Sequence, residues 1–246
     1  MKQYENRLIA FIDILGFKSI IDSSINNEVM QNHIYSILNY NAKLQDENYS
    51  KTFRNKSELN VEITVFSDSI VISYPGNYAG GLFELLMDCV FISIDLLSHG
   101  ILIRGGITYG PLIHEKTICF GPAMNEAYRL ESHVAVYPRI VVDNSAIEHG
   151  LSTPGLANNQ KQEAEFLNDL LNLEDGLFYL DFLSQSQEVT NGNYISLLKI
   201  ARELIINNLA NTTGSVHTKY LWFKSYYNKV IEKKINEEHY KEFLIP

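Results

Sequence analysis

Cysteine is nearly absent: the 246 residues hold only Cys89 and Cys119. The two are far apart and form no CxxC or zinc-ligand spacing, which reads as buried thiols of a reducing compartment rather than a disulfide frame. The seven histidines show no HxxxH-type metal spacing and are counted as surface or core. There is no basic excess either. A formal net charge of -9 argues against a protein that grips nucleic acid by neutralising phosphates. It does not exclude a nucleotide substrate, because metal ions can supply the positive charge that side chains lack. No long apolar run is present. The most apolar stretch, residues 83–103, is interrupted by Glu84, Asp88, Asp95 and His99, so no membrane span is expected. The opening MKQYENRLIAF has no apolar core of the signal-peptide kind, and a cytoplasmic location is expected. Repeats and low-complexity tracts are also missing.

What is there is an ordinary globular composition, 46% hydrophobic and 20% charged. The pattern predicts a buried strand over residues 7–14, helices over 17–24 and 29–46, and a polar loop over 47–60. A hairpin follows, 61–66 and 69–74, around the Ser67-Asp68 corner. A long helix spans 81–98, and a strand over 101–109 is closed by Gly110-Pro111. Gly121-Pro122 opens a helix to about residue 131, with Pro at its favoured first position. Short strands are expected at 139–142 and 177–182, with a turn-rich excursion at 151–162 between them. From residue 194 the pattern is helical twice, split at 211–214. This order predicts an α+β fold around a mainly antiparallel sheet.

Four places could carry chemistry. Asp13 sits inside the apolar run FIDILGF, where an ionised carboxylate is costly unless something pairs with it. Gly16 breaks the chain three residues on, so free backbone N–H groups of a helix start lie beside that carboxylate and suit phosphate. Capping or an Arg partner is the plainer reading. Asp68, in FSDSIVIS, occupies a hairpin corner where Ser-Asp is common. If the hairpin lies beside the first strand, the two acids converge, as a two-metal site requires. Asn125 and Arg129 are four apart, hence on one helix face, though Glu126 and Arg129 also suit a surface pair. Arg104, in RGGITY, is charged within an apolar strand; it could reach a phosphate or pair with a neighbouring acid.

Taken in order, FIDILGF, FSDSIVIS, RGGITYGPL and GPAMNEAYRLES resemble four blocks of the class III adenylate/guanylate cyclase catalytic domain, over about residues 8–132. With KYLWF…YYN near the C-terminus, the wording is most similar to the bacterial pyrimidine cyclases of the Pycsar anti-phage system. The resemblance implies a ferredoxin-type palm over residues 1–185 and a C-terminal helical extension over 186–246. It implies that Asp13 and Asp68, with the Ile14 backbone, hold two Mg2+ or Mn2+ ions. Leu15, Gly16 and Phe17 would cradle phosphates, Asn125 would orient the ribose, and Arg129 would stabilise the transition state.

It further implies a nucleoside triphosphate substrate and a homodimer whose sites each draw on both subunits. The product, cUMP or cCMP, would act through a separate effector. At the purine-reading positions the chain departs from adenylate and guanylate cyclases, with Thr64 and Ile118 in place of charged readers. Glu62 and Phe66 flank Thr64 on the same strand face and would complete a pocket wall. The Lys that many adenylate cyclases carry on a later hairpin has only Lys161 as a poor match. An adenylate cyclase with an atypical pocket and a non-catalytic nucleotide-binding or dimerisation domain are the alternatives.

Overall fold

The computed structural model describes residues 2–43, 60–190, 192–234 and 238–246. The elements run β1 (Glu5–Ile14), α1 (Phe17–Ser24), α2 (Glu28–Lys43), β2 (Glu62–Phe66), β3 (Ser69–Pro75), α3 (Gly81–Ser98), β4 (Ile103–Glu115) and β5 (Ile118–Phe120). Then come α4 (Pro122–Arg129), a π-turn (Leu130–Val134), β6 (Ile140–Val142), α5 (Asn144–Ser152) and α6 (Gln160–Leu170). The chain continues through β7 (Leu171–Glu174), β8 (Leu177–Leu180), α7 (Phe182–Val189), α8 (Tyr194–Asn211) and α9 (Gly214–Lys233). The expected polar loop at 47–60 lies outside the described residues except for Asn60.

The sheet order is β2-β3-β1-β4-β6-β8-β7, with β5 folded back on β4. Every pairing is antiparallel except β4 with β6, so the chain is an α+β fold with an antiparallel-dominated sheet, as expected. β1 is central because alternate residues are apolar on both sides. Leu8, Ala10, Ile12 and Ile14 enter the main core with Leu82, Leu85, Leu86, Cys89 and Val90 of α3. Ile9 and Phe11 face the other way, onto Val71, Leu112 and Ala123 and Ala127 of α4. At roughly 1.5–3 kcal/mol for each large apolar side chain buried, the α3 side dominates stability. α8 and α9 share that core through Leu198, Ala201, Ile205, Phe223, Tyr227 and Ile231. No helix among the described residues is long and apolar enough to cross a membrane.

Several boundaries differ from expectation. β4 is not closed by Gly110-Pro111 but runs through it to Glu115. The Gly105 amide donates to the Arg139 carbonyl and the Tyr109 amide to Ser145 Oγ, so odd-numbered amides point away from β1. At 111 that side has no strand, because β6 pairs only with 105–107, and a missing N–H there breaks no ladder bond. The turn-rich excursion expected at 151–162 is confined to residues 153–159, since 151–152 end α5 and 160–162 begin α6. The last strand stops at Leu180, where Asp181 caps α7 by accepting from the Ser184 amide. The expected boundary after residue 185 falls inside α7. Cys119 is half-buried rather than buried, and burial pushes its thiol up to about 11.

Candidate functional site

Asp13 is the last residue but one of β1, on the same face as Phe11, opposite Ser69 of β3 on one side and Arg104 of β4 on the other. Asp68 lies in the two-residue turn joining β2 and β3, entered through Ser67 at φ 53°. The Ile14 amide donates to the Asp68 carbonyl at 3.2 Å, which ties that turn to the end of β1. The two acids therefore meet at one corner of the sheet. Burial, then the negative charges of Asp68 and Glu131, push the Asp13 carboxyl up to about 6, against Ser69 and Arg104. Ser69 Oγ donates to Asp13 Oδ1 at 3.1 Å, while Arg104 stands 3.9 Å from Oδ2.

Arg104 is drawn away by a stronger partner. Its Nε lies 2.6 Å from Glu131 Oε1, an ion pair without hydrogen-bond alignment, and the Glu131 side chain is only 3% exposed. Of the two readings of Arg104, the pairing with a neighbouring acid is the one this structure has. Glu131 sits in the π-turn after α4, and that turn is seated by Gly106: a Cβ there would stand 2.4 Å from Leu130 Cβ and 2.6 Å from the Ala127 carbonyl. Only glycine permits this approach.

The start of α1 borders the same corner. Gly16 adopts φ 77° and is exposed, and it precedes a helix whose first amides have no intrahelical acceptor. The Leu15 amide, however, is taken by the Leu102 carbonyl at 2.9 Å, which leaves Gly16, Phe17 and Lys18 as the amides near the acids. Two partly buried carboxylates with too little positive charge are a hard-oxygen donor set. They suit Mg2+ or Mn2+ of the kind that completes its shell from substrate phosphates and water. Among the described residues no group of three or more His, Cys, Asp or Glu could hold a metal unaided.

Asn125 and Arg129 are not brought to the acid pair. Both are exposed on the outer face of α4, and Arg129 forks onto Glu126 at 2.8 and 2.6 Å, the surface pair that the sequence also allowed.

The pocket-wall positions lie along β2 and the β4–β5 turn. Thr64 shares the face of Val71 and Phe11, as alternation requires, yet it is fully buried. Its hydroxyl donates to the Lys116 carbonyl and meets His114 Nε2 at 2.7 Å, and Glu62 accepts from the Lys116 amide at 2.9 Å. Phe66 and Ile118 are exposed, at 44% and 58%.

The sequence pattern marks His114 only as surface or core and gives Arg7 no role. Together they form a buried relay: Arg7 Nε donates to Ser73 Oγ at 2.9 Å, and Ser73 Oγ lies 2.8 Å from His114 Nδ1. A guanidinium only donates and a carbonyl only accepts, so the relay has one direction, and His114 carries its proton on Nε2. Burial, then the Arg7 charge, lowers the imidazole to about 4. No sequence period brings residues 7, 64, 73 and 114 together; only the register of four strands does.

No family profile matches the chain, and no curated protein matches it. Solved structures of similar shape include a bacterial light-regulated adenylyl cyclase, 14% identical, covering 82% of this chain and all of that one at a TM-score of 0.48. The monomeric guanylyl cyclase domain of the RhoGC fusion protein from the aquatic fungus Blastocladiella emersonii is 17% identical, covering 72% and 95% at 0.47. The catalytic core of a rhodopsin-guanylyl cyclase with converted specificity, in complex with ATPαS, is 19% identical, covering 60% and 82% at 0.45.

Proposed function

We propose that this chain is a nucleotide cyclase that converts UTP or CTP to the 3′,5′-cyclic monophosphate and pyrophosphate. One observation carries the reading: Asp13 and Asp68 converge at a sheet corner with their repulsion uncompensated, beside the free amides of a helix start. Asp13 and Asp68 would hold the divalent ions, with the Ile14 backbone as a further donor. Bound there, the ions would make the 3′-hydroxyl more acidic and neutralise charge on the leaving pyrophosphate. Gly16 and Phe17 donate amides to the phosphates, and the dipole of α1 favours the anion.

Asn125 orients the ribose and Arg129 stabilises charge on the transferring phosphoryl group, both from the second subunit of a homodimer. Their outward position on α4 supports this, since a two-fold dimer lets a helix serve its partner's acid pair. Exposed Ile118, Phe120, Tyr128 and Val136 give that surface the apolar character that self-association needs. The pyrimidine assignment follows from the lack of a charged purine reader at positions 64 and 118, since Thr64 is buried with its hydroxyl spent on His114 and Lys116 and Ile118 is apolar. Glu62 and Phe66 complete the wall. The cyclic product would serve as a signal in anti-phage defence, read by a separate effector.

Incubating the purified chain with each of the four triphosphates and Mn2+ and weighing the products tests the reading. A cyclic pyrimidine monophosphate with kcat/KM well above that for ATP or GTP is the expected result. Equal turnover of ATP removes the base assignment, and no cyclic product from any triphosphate removes the activity. The shared site is tested by mixing Asp68→Asn and Arg129→Ala chains. Each homodimer should be nearly inactive, and the heterodimer should recover up to about half of wild-type activity from its one intact site.

A further inference from the structure

α9 carries an inward stripe at helical spacing, Phe223, Tyr226, Tyr227 and Val230, all buried. Lys219 stands one turn before Phe223 on that same stripe, so a cation occupies a position that the pattern otherwise reserves for core residues. Among the described residues no side-chain carboxylate pairs with it, although two other lysines of α9 have one: Lys229 meets Glu174 at 2.9 Å and Lys233 meets Asp181 at 3.4 Å.

The anchoring of α9 sets where Lys219 stands. Trp222, three residues on, stacks on Tyr137 with ring centroids 5.5 Å apart and planes 3° apart, and its indole N–H donates to Glu174 at 2.9 Å. The Arg139 guanidinium lies over both rings, and the Arg139 carbonyl accepts from the Gly105 amide. Gly105 adjoins Arg104. Thus α9 is pinned to the strand end that borders Asp13, with Lys219 on the turn before the pin. Burial, then the charge of Arg104, hold the Lys219 ammonium below its usual range, consistent with a cation lodged near a second cation and short of anions.

We infer that Lys219 is a phosphate-binding residue of the acid-pair site, reaching from the C-terminal helix to the oligophosphate anion that the site handles. This rests on the cyclase reading and adds a residue to it. An ammonium in this place has its charge unspent until a phosphate arrives, and it counters the charge that builds on pyrophosphate as the bond to the α-phosphate breaks. It also gives the C-terminal helices a task in the reaction, since α9 would complete the site as well as the core.

Inorganic pyrophosphate is the direct probe, titrated calorimetrically into the full chain at saturating Mn2+. Lys219→Met is expected to bind it about ten- to a hundredfold more weakly than wild type, the worth of one charge-assisted hydrogen bond. Lys219→Arg should restore most of the affinity, and Mn2+ binding alone and the melting temperature should stay as in wild type. Lys219→Met binding as tightly as wild type, while Asp68→Asn abolishes binding, would overturn the inference and leave the cyclase reading standing. A wild-type chain that does not bind pyrophosphate with Mn2+ would overturn both.

Discussion

Two buried polar groups of residues share one face of the sheet and are built on opposite terms. At the β1 corner, Asp13 is repelled by Asp68 and Glu131, and its nearest cation, Arg104, is drawn to Glu131. Along β2 and β4, Arg7, Ser73, His114 and Thr64 pass hydrogen bonds in one direction from a guanidinium to a backbone carbonyl. The first lacks something that a ligand can bring. The second is complete within the chain and holds the β4–β5 turn against β2. A charge left uncompensated inside a fold costs stability and persists where function uses it; a satisfied network is scaffold.

The sharpest way to break the comparison is to remove an acid. Asp68→Asn should lower turnover by on the order of a thousandfold or more, several kcal/mol of barrier, with the fold intact. Activity assays beside circular dichroism check both halves.

Next in size is the relay. His114→Ala leaves the buried Ser73 hydroxyl without its acceptor and the buried Thr64 hydroxyl without its donor. It should cost about 3 kcal/mol, on the order of 10 °C in melting temperature, measured by calorimetry.

The two groups also titrate in the same pH range with opposite signs. Asp13 has a folded value of about 6 against an ordinary 3.8, so the folded chain binds more protons and this group makes stability fall as pH rises from about 4 to 6. His114 has a folded value of about 4 against 6.5. There the unfolded chain binds more protons, and stability rises from about pH 4 to 6.5. Each is worth up to about 3 kcal/mol across that window. Wild type should be nearly flat there in urea titrations without metal. Asp13→Asn should leave a rising slope and a more stable chain at neutral pH, and His114→Asn a falling one.

The smallest effect belongs to the exposed Arg129–Glu126 fork. Glu126→Ala should change stability by less than about 0.5 kcal/mol. The same thermal assay reads it.

The parts of the fold that follow local pattern were legible. β1, α1, the β2–β3 hairpin, α3 and the split between α8 and α9 follow from apolar runs, helical spacing and the breaks at Gly16, His99-Gly100 and 211–214. α5 and α6 were missed although their caps are written locally. Asp143 accepts from the Ala146 amide, and Asn159 with Gln162 forms a capping box. The expectation of turns around Pro154-Gly155 spread over both helix ends.

At the site, the two acids and the α4 helix were legible because each stands in a contiguous motif. Glu131 stands in the motif GPAMNEAYRLES, but the π-turn that carries it inward has no simple sequence signal. Lys219 and the His114 relay depend on contacts between residues far apart in the chain, and local pattern does not report those.

Counting bound Mn2+ by electron paramagnetic resonance, with a non-hydrolysable triphosphate present, tests the acid corner most directly. The account predicts two Mn2+ ions per chain in wild type and a clear loss of bound Mn2+ in Asp13→Asn and in Asp68→Asn. Full Mn2+ occupancy in both variants would contradict the assignment of the metal site to Asp13 and Asp68.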